Sequence, residues 1–109
     1  METLEIVLVR SARDLVHVVE RRTGFSRESA ERFVILAGTD LIESFKWQAD
    51  ALDSNDLTAP SNIRDLLNGI GGNRIASTLG VPPAEVWSGL REFVPSVLRL
   101  ADGARAFEA

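Results

Sequence analysis

His17 is the only histidine of the 109-residue chain and the natural starting point for acid–base or metal chemistry. Asp14 and Glu20 lie three residues to either side, a spacing that places all three side chains on one helix face. A structural zinc site needs further histidine or cysteine ligands, and the sequence has none. Neither Ser11 nor Ser29 lies in a nucleophile motif. We therefore expect no catalytic residue, metal, cofactor or small-molecule substrate.

DNA recognition is a second possible chemistry, because residues 73–93 read NRIASTLGVPPAEVWSGLREF, which resembles a helix-turn-helix. In that interpretation Arg74 and Arg91 would contact DNA. However, Glu85 in the first turn of the second helix would repel phosphate. The chain has 16 acidic and 12 basic residues and a net charge of -4, the wrong sign for phosphate binding. Helix-turn-helix DNA binding is therefore the alternative, and nucleic acid an unexpected partner.

The two tryptophans are the residues that we expect to mark a protein interface, since tryptophan is frequent at interface centres. Trp87 lies one residue beside the apolar stripe of the last predicted helix. That helix also carries more apolar residues than one stripe needs, and surplus apolar surface requires a partner. We predict a surface of Trp87, Leu90 and Val94, with Trp47 as a further candidate. The predicted function is a non-catalytic helical interaction or self-association module, most simply a homodimer.

The elements that must position these residues are helices. The chain is 45% hydrophobic and 26% charged, as in one ordinary domain. Apolar residues recur at three- and four-residue spacings throughout, so we predict an all-α, compact five-helix domain over residues 1–109. The chain has no cysteine, no basic secretory start and no apolar run of about 20 residues, so we expect a cytoplasmic protein and no membrane partner.

Glycine, proline and serine set the predicted boundaries. The first hairpin is predicted over about 3–52, with helices over 3–22 and from Ser26 as N-cap to 52. A linker follows over 53–62, and the second helical unit, with two short helices and a final long one, covers 63–102. Gly24 and Gly80 are both predicted to stop helices in the left-handed conformation, where a valine would be destabilising.

The two halves of the chain align without a gap at an offset of 56 residues. Gly24 falls on Gly80, Ala30 on Val86, and the apolar stripe continues in step over two further helical turns. Such a match is what a duplicated helical unit would leave. We therefore predict two related helical hairpins.

Residues 23–42 and 66–100 also carry a family resemblance. The second run contains a pattern of small and apolar residues at Ile75, Ala76, Leu79, Gly80, Val81, Val86, Gly89, Leu90, Val94, Pro95 and Val97. In this pattern the chain resembles the YidB-like family of small bacterial proteins over about residues 15–100. The resemblance implies an all-α fold and no established catalytic residues. The linker departs from the family, where many members carry a long glycine-rich tract.

Overall fold

All regular structure in the described part of the chain is helical. The computed structural model describes residues 4–52 and 56–108 and contains no strand in these ranges. The elements are α1 (Leu4–Arg10), α2 (Ala12–Arg22), α3 (Arg27–Gln48), a 3-10 helix (Ala49–Ala51), α4 (Pro60–Asn68), α5 (Gly72–Leu79) and α6 (Pro83–Glu108). The all-α prediction is therefore confirmed for this part of the chain.

Six α-helices are found in these ranges where five were predicted, because the first predicted helix is divided at Ser11. Ser11 has φ of -102° and ψ of 9°, outside the helical range. Helical hydrogen bonds nevertheless continue across it, since Ser11 N donates to Val7 O at 3.0 Å and Leu15 N to Ser11 O at 3.0 Å. The division is therefore a bend between α1 and α2 and not a loop.

Two further boundaries differ from the predicted ones. The helix after the linker begins at Pro60 and not near 63, because proline suits the first helical turn, where no amide donor is needed. Helix α6 continues to Glu108 and not only to about 102. Residues 53–55 of the predicted linker lie outside the described residues.

The two long helices α3 and α6 form the centre of the molecule. Each of the four shorter helices packs against both of them. Phe33 of α3 meets Phe93 of α6 edge to face, with ring centroids 5.9 Å apart. The largest fully buried side chains are Val7, Leu15, Val19, Phe33, Leu41, Leu66, Ile75, Val86, Leu90, Phe93, Val94 and Leu98. Helix α6 is therefore apolar on more than one face because helices of its own chain cover it.

The described helices lack the combination of length and apolar character that crossing a membrane requires. The Cα radius of gyration is 13.2 Å, the value expected for one compact domain of this length.

Helix positions follow the 56-residue offset of the sequence. Pro60 and Pro83, which begin α4 and α6, lie 56 residues after Leu4 and Arg27, which begin α1 and α3. The packing partners also correspond: α1 and α2 contact both long helices, and so do α4 and α5. The turn before α3 and the turn before α6 line one shared pocket, so both long helices begin at the same end of the molecule.

Gly80 and Gly24 end their helices in different ways. Gly80 has φ of 69° and is the only described glycine in the left-handed region; its N–H donates to Ala76 O at 2.9 Å. Gly24 is not in that region, so its predicted left-handed conformation is wrong. Thr23 ends α2 instead, since its hydroxyl donates to Val19 O at 2.8 Å and its backbone is extended.

Gly80→Val should therefore lower the free energy of unfolding by more than about 1 kcal/mol, because a β-branched residue is strained at positive φ. Gly24→Val is the matched control, with open space around the added side chain and no positive φ, and should change stability by less than about 0.5 kcal/mol. Urea unfolding of both variants measures the difference. Equal losses at the two sites would contradict this account of the helix ends.

Candidate interaction surface

The predicted interface on α6 is mostly interior. Leu90 and Val94 are fully buried, so the structure places them in the core and not on the surface of the chain. Trp87 is partly buried, and its indole lies against Gly72 at the start of α5. A Cβ at Gly72 would come within 2.7 Å of the Trp87 ring atoms Cε2 and Cζ2. Trp87 therefore fills the space beside the short helices, which is why the surplus apolar residues of α6 need no partner.

Trp47 is the predicted interface residue that the structure leaves on the surface. It lies in the last turn of α3 and is 85% exposed. Glu43 precedes it by four residues and Asp50 follows it by three, and both carboxylates are exposed. Residues at these spacings share one side of a helix. We call Glu43, Trp47 and Asp50 the Trp47 ridge.

Lys46 is the cation closest in sequence to this ridge. Its Nζ lies 3.9 Å from Glu43 Oε1, and both side chains are more than half exposed. An exposed pair at this distance contributes little to stability and is easily exchanged for another partner. The ridge therefore presents an indole with a carboxylate on either side along the helix.

A groove of about 470 Å³ runs between α4 and α6. Its lining consists of Pro60, Ile63, Arg64, Leu67, Asn68, Trp87 and Arg91. The lining is mainly apolar, with one arginine contributed by each helix. We call it the α4–α6 groove. A volume of this size falls within the range of cavities that enclose a drug-sized molecule, so one aromatic side chain fits.

The two arginines of the groove are available to an external anion. The Arg64 side chain is 72% exposed, and its Nε lies 3.8 Å from Oδ1 of the adjacent Asp65, a weak surface pair. Arg91 is exposed and forms no ion pair with any described residue. The groove therefore has basic edges on a chain whose net charge is -4.

Arg74, the other arginine considered for DNA contact, is held by its own chain. Its Nη2 donates to the two carboxylate oxygens of Asp40 at 2.7 and 2.8 Å. Asp40 also accepts the Gly71 N–H at 3.1 Å and is only 14% exposed. Glu85 accepts the Gly24 N–H at 3.3 Å. The polar groups of the helix-turn-helix-like segment thus hold α5 and α6 to α2 and α3.

His17 lies on the surface of α2 in a pocket of about 560 Å³ that Asp14 and Glu20 also line. The Glu20 Oε1 atom is 3.7 Å from His17 Nδ1 and 3.6 Å from Arg27 Nη2. This cluster joins α2 to α3. No three histidine or carboxylate side chains of the described residues are placed to hold a metal ion. Ser29 serves the helix start, since its N–H donates to Ser26 Oγ at 3.2 Å.

Asp40→Ala should lower the free energy of unfolding by about 1–2 kcal/mol, because it removes a partly buried acceptor of two hydrogen-bonding partners. The exposed Glu31→Ala on the same helix is the control and should stay within about 0.5 kcal/mol of wild type. Thermal and urea unfolding give both values. An unchanged Asp40→Ala variant would show that the contact contributes nothing to the docking of α5.

Mixed-sequence duplex DNA should show no saturable binding at micromolar protein and low salt in fluorescence anisotropy, because Arg74 is paired and the chain is acidic. An Arg74→Ala, Arg91→Ala double variant is the control. Micromolar affinity that falls steeply with salt and is lost in this variant would reverse our ranking.

Comparison of the chain with protein-family models, with curated proteins and with solved structures finds no match in any of the three. The resemblance to the YidB-like family therefore rests on the sequence pattern alone.

Proposed function

We propose that the protein is a non-catalytic helical interaction module that associates with a second copy of itself. The observation that carries this proposal is the exposure of Trp47, whose indole is 85% accessible in a chain that buries its other large aromatic side chains more fully. Tryptophan contributes large contact area at low conformational cost and dominates the binding energy of many interfaces. Val9 and Ile35 are also more than half exposed.

The absence of catalysis in this proposal is supported by the uses of the polar side chains. Asp40 and Arg74 bind each other, Glu85 binds the backbone of Gly24, and Glu20 lies between His17 and a neighbouring arginine. Each of these groups already joins helices of the fold. A catalytic site would instead combine a nucleophile, a base and a cleft that excludes water.

Duplication of a three-helix unit is part of the same proposal and extends the predicted hairpin repeat by one helix. It is supported by the matched starts of α1 and α4 and of α3 and α6, and by the matched packing of both units on the long helices. Membership of the YidB-like family, supported by the glycine and proline pattern of residues 66–100, would make this a bacterial protein. The lack of cysteine supports a cytoplasmic location.

Sedimentation velocity over about 1–100 μM protein tests self-association. We expect the sedimentation coefficient to rise from the monomer to the dimer value within this range, because an interface with a dissociation constant in the micromolar range is populated there. A species that stays monomeric at about 100 μM would reject the proposed function. The concentration series on wild type alone is sufficient for this test.

A further inference from the structure

We propose that the Trp47 ridge of one copy docks in the α4–α6 groove of a second copy, and that the exchange is reciprocal. This inference rests on the proposed function, because it names the surface through which the chain associates. It joins the most exposed aromatic side chain of the protein to its basic-edged apolar groove.

The apolar parts of the two surfaces match. The groove offers Ile63, Leu67 and the outer part of Trp87, all of them partly exposed. An indole placed there would bury apolar area on both sides and pair with a second aromatic ring, which adds about 0.5–1.5 kcal/mol beyond the buried area. Trp47 is therefore the anchor, and the groove is the pocket that an anchor requires.

The charges of the two surfaces also match. Arg64 on α4 and Arg91 on α6 lie at the edges of the groove, and Glu43 and Asp50 lie on either side of Trp47. Carboxylate and guanidinium groups form charge-assisted hydrogen bonds and set the orientation of two surfaces. Because the protein has a net charge of -4, two copies repel each other at long range, and this local complementarity offsets the repulsion where they meet.

The two surfaces lie on neighbouring parts of the molecule. Ser44 Oγ donates to Leu66 O at 3.2 Å, and Gln48 Nε2 donates to Asp65 O at 2.9 Å, so the end of α3 that carries Trp47 lies beside α4. The same α4 forms one wall of the groove. Two copies related by a twofold axis near α4 can therefore place each Trp47 in the groove of the other, which gives a closed dimer and not an open chain.

Two charge-reversal variants test this docking. Variant A carries Arg64→Glu and Arg91→Glu in the groove, and variant B carries Glu43→Arg and Asp50→Arg on the ridge. In each variant alone, like charges meet at both contacts of the dimer, and we expect the dissociation constant to rise at least about 10-fold. In an equimolar mixture, the acidic ridge of A meets the basic groove of B, and the basic ridge of B meets the acidic groove of A. The mixture should therefore form a heterodimer near wild-type strength.

Two single variants complete the design. Trp47→Ser should weaken association at least about 30-fold, the effect of losing a central tryptophan. Ile35→Ser is the matched control, because Ile35 is also exposed on α3 but lies outside both surfaces, and it should associate like wild type. Circular dichroism melting of all four proteins establishes that they are folded, and sedimentation velocity measures association.

The outcomes separate this inference from the proposed function. If wild type dimerises and the variants dimerise equally well, the module self-associates through another surface and the docking is wrong. If A and B are each monomeric but their mixture is not restored, reciprocal exchange is wrong. If wild type is monomeric at about 100 μM, both proposals fail, and the basic-edged groove is left to an acidic segment of another protein.

Discussion

The shared packing of the four shorter helices on both α3 and α6 is the constraint on which the rest of the structure depends. Because each short helix must contact two long ones, α6 is covered on more than one side, and Leu90 and Val94 become core residues. Close approach at the start of α5, where Gly72 lies against the Trp87 indole, follows from the same packing. The last turn of α3 extends beyond this shared core, and Trp47 is therefore left exposed. Interior and candidate surface are thus two results of one arrangement.

The helices could be predicted from the sequence because their boundaries depend on local interactions. The Ser26 hydroxyl accepts the N–H of Ser29, and proline begins α6, as the sequence indicates. The bend at Ser11 was not predictable in this way, because hydrogen bonding continues across it and the apolar period is unbroken. Gly24 was assigned a left-handed conformation on residue type alone, and the neighbouring Thr23 hydroxyl performs the role instead. Local rules predict that a helix ends, and competing side chains decide how.

The candidate site was harder to predict, because apolar periodicity indicates which residues are buried but not which chain buries them. Leu90 and Val94 fit a surplus apolar face equally well whether a second copy or α1, α2, α4 and α5 cover it. Trp47 gave a clearer signal: it lies two residues after the half-buried Phe45, which turns it about 200° around the helix from that residue. The Asp40–Arg74 ion pair joins residues 34 positions apart, and no local pattern indicates it.

Under the proposed duplication, the two units solve the same packing problem differently. Val7 and Leu8 of α1 are both buried, so α1 closes the space between itself and the long helices. Their counterparts 56 residues later are the half-buried Ile63 and the exposed Arg64, and α4 leaves a groove open at the equivalent place. Filling both grooves with aliphatic side chains would add stability but remove the basic edge that Arg64 and Arg91 provide. A repeated scaffold can keep one unit closed for folding stability, which leaves the other free to bind.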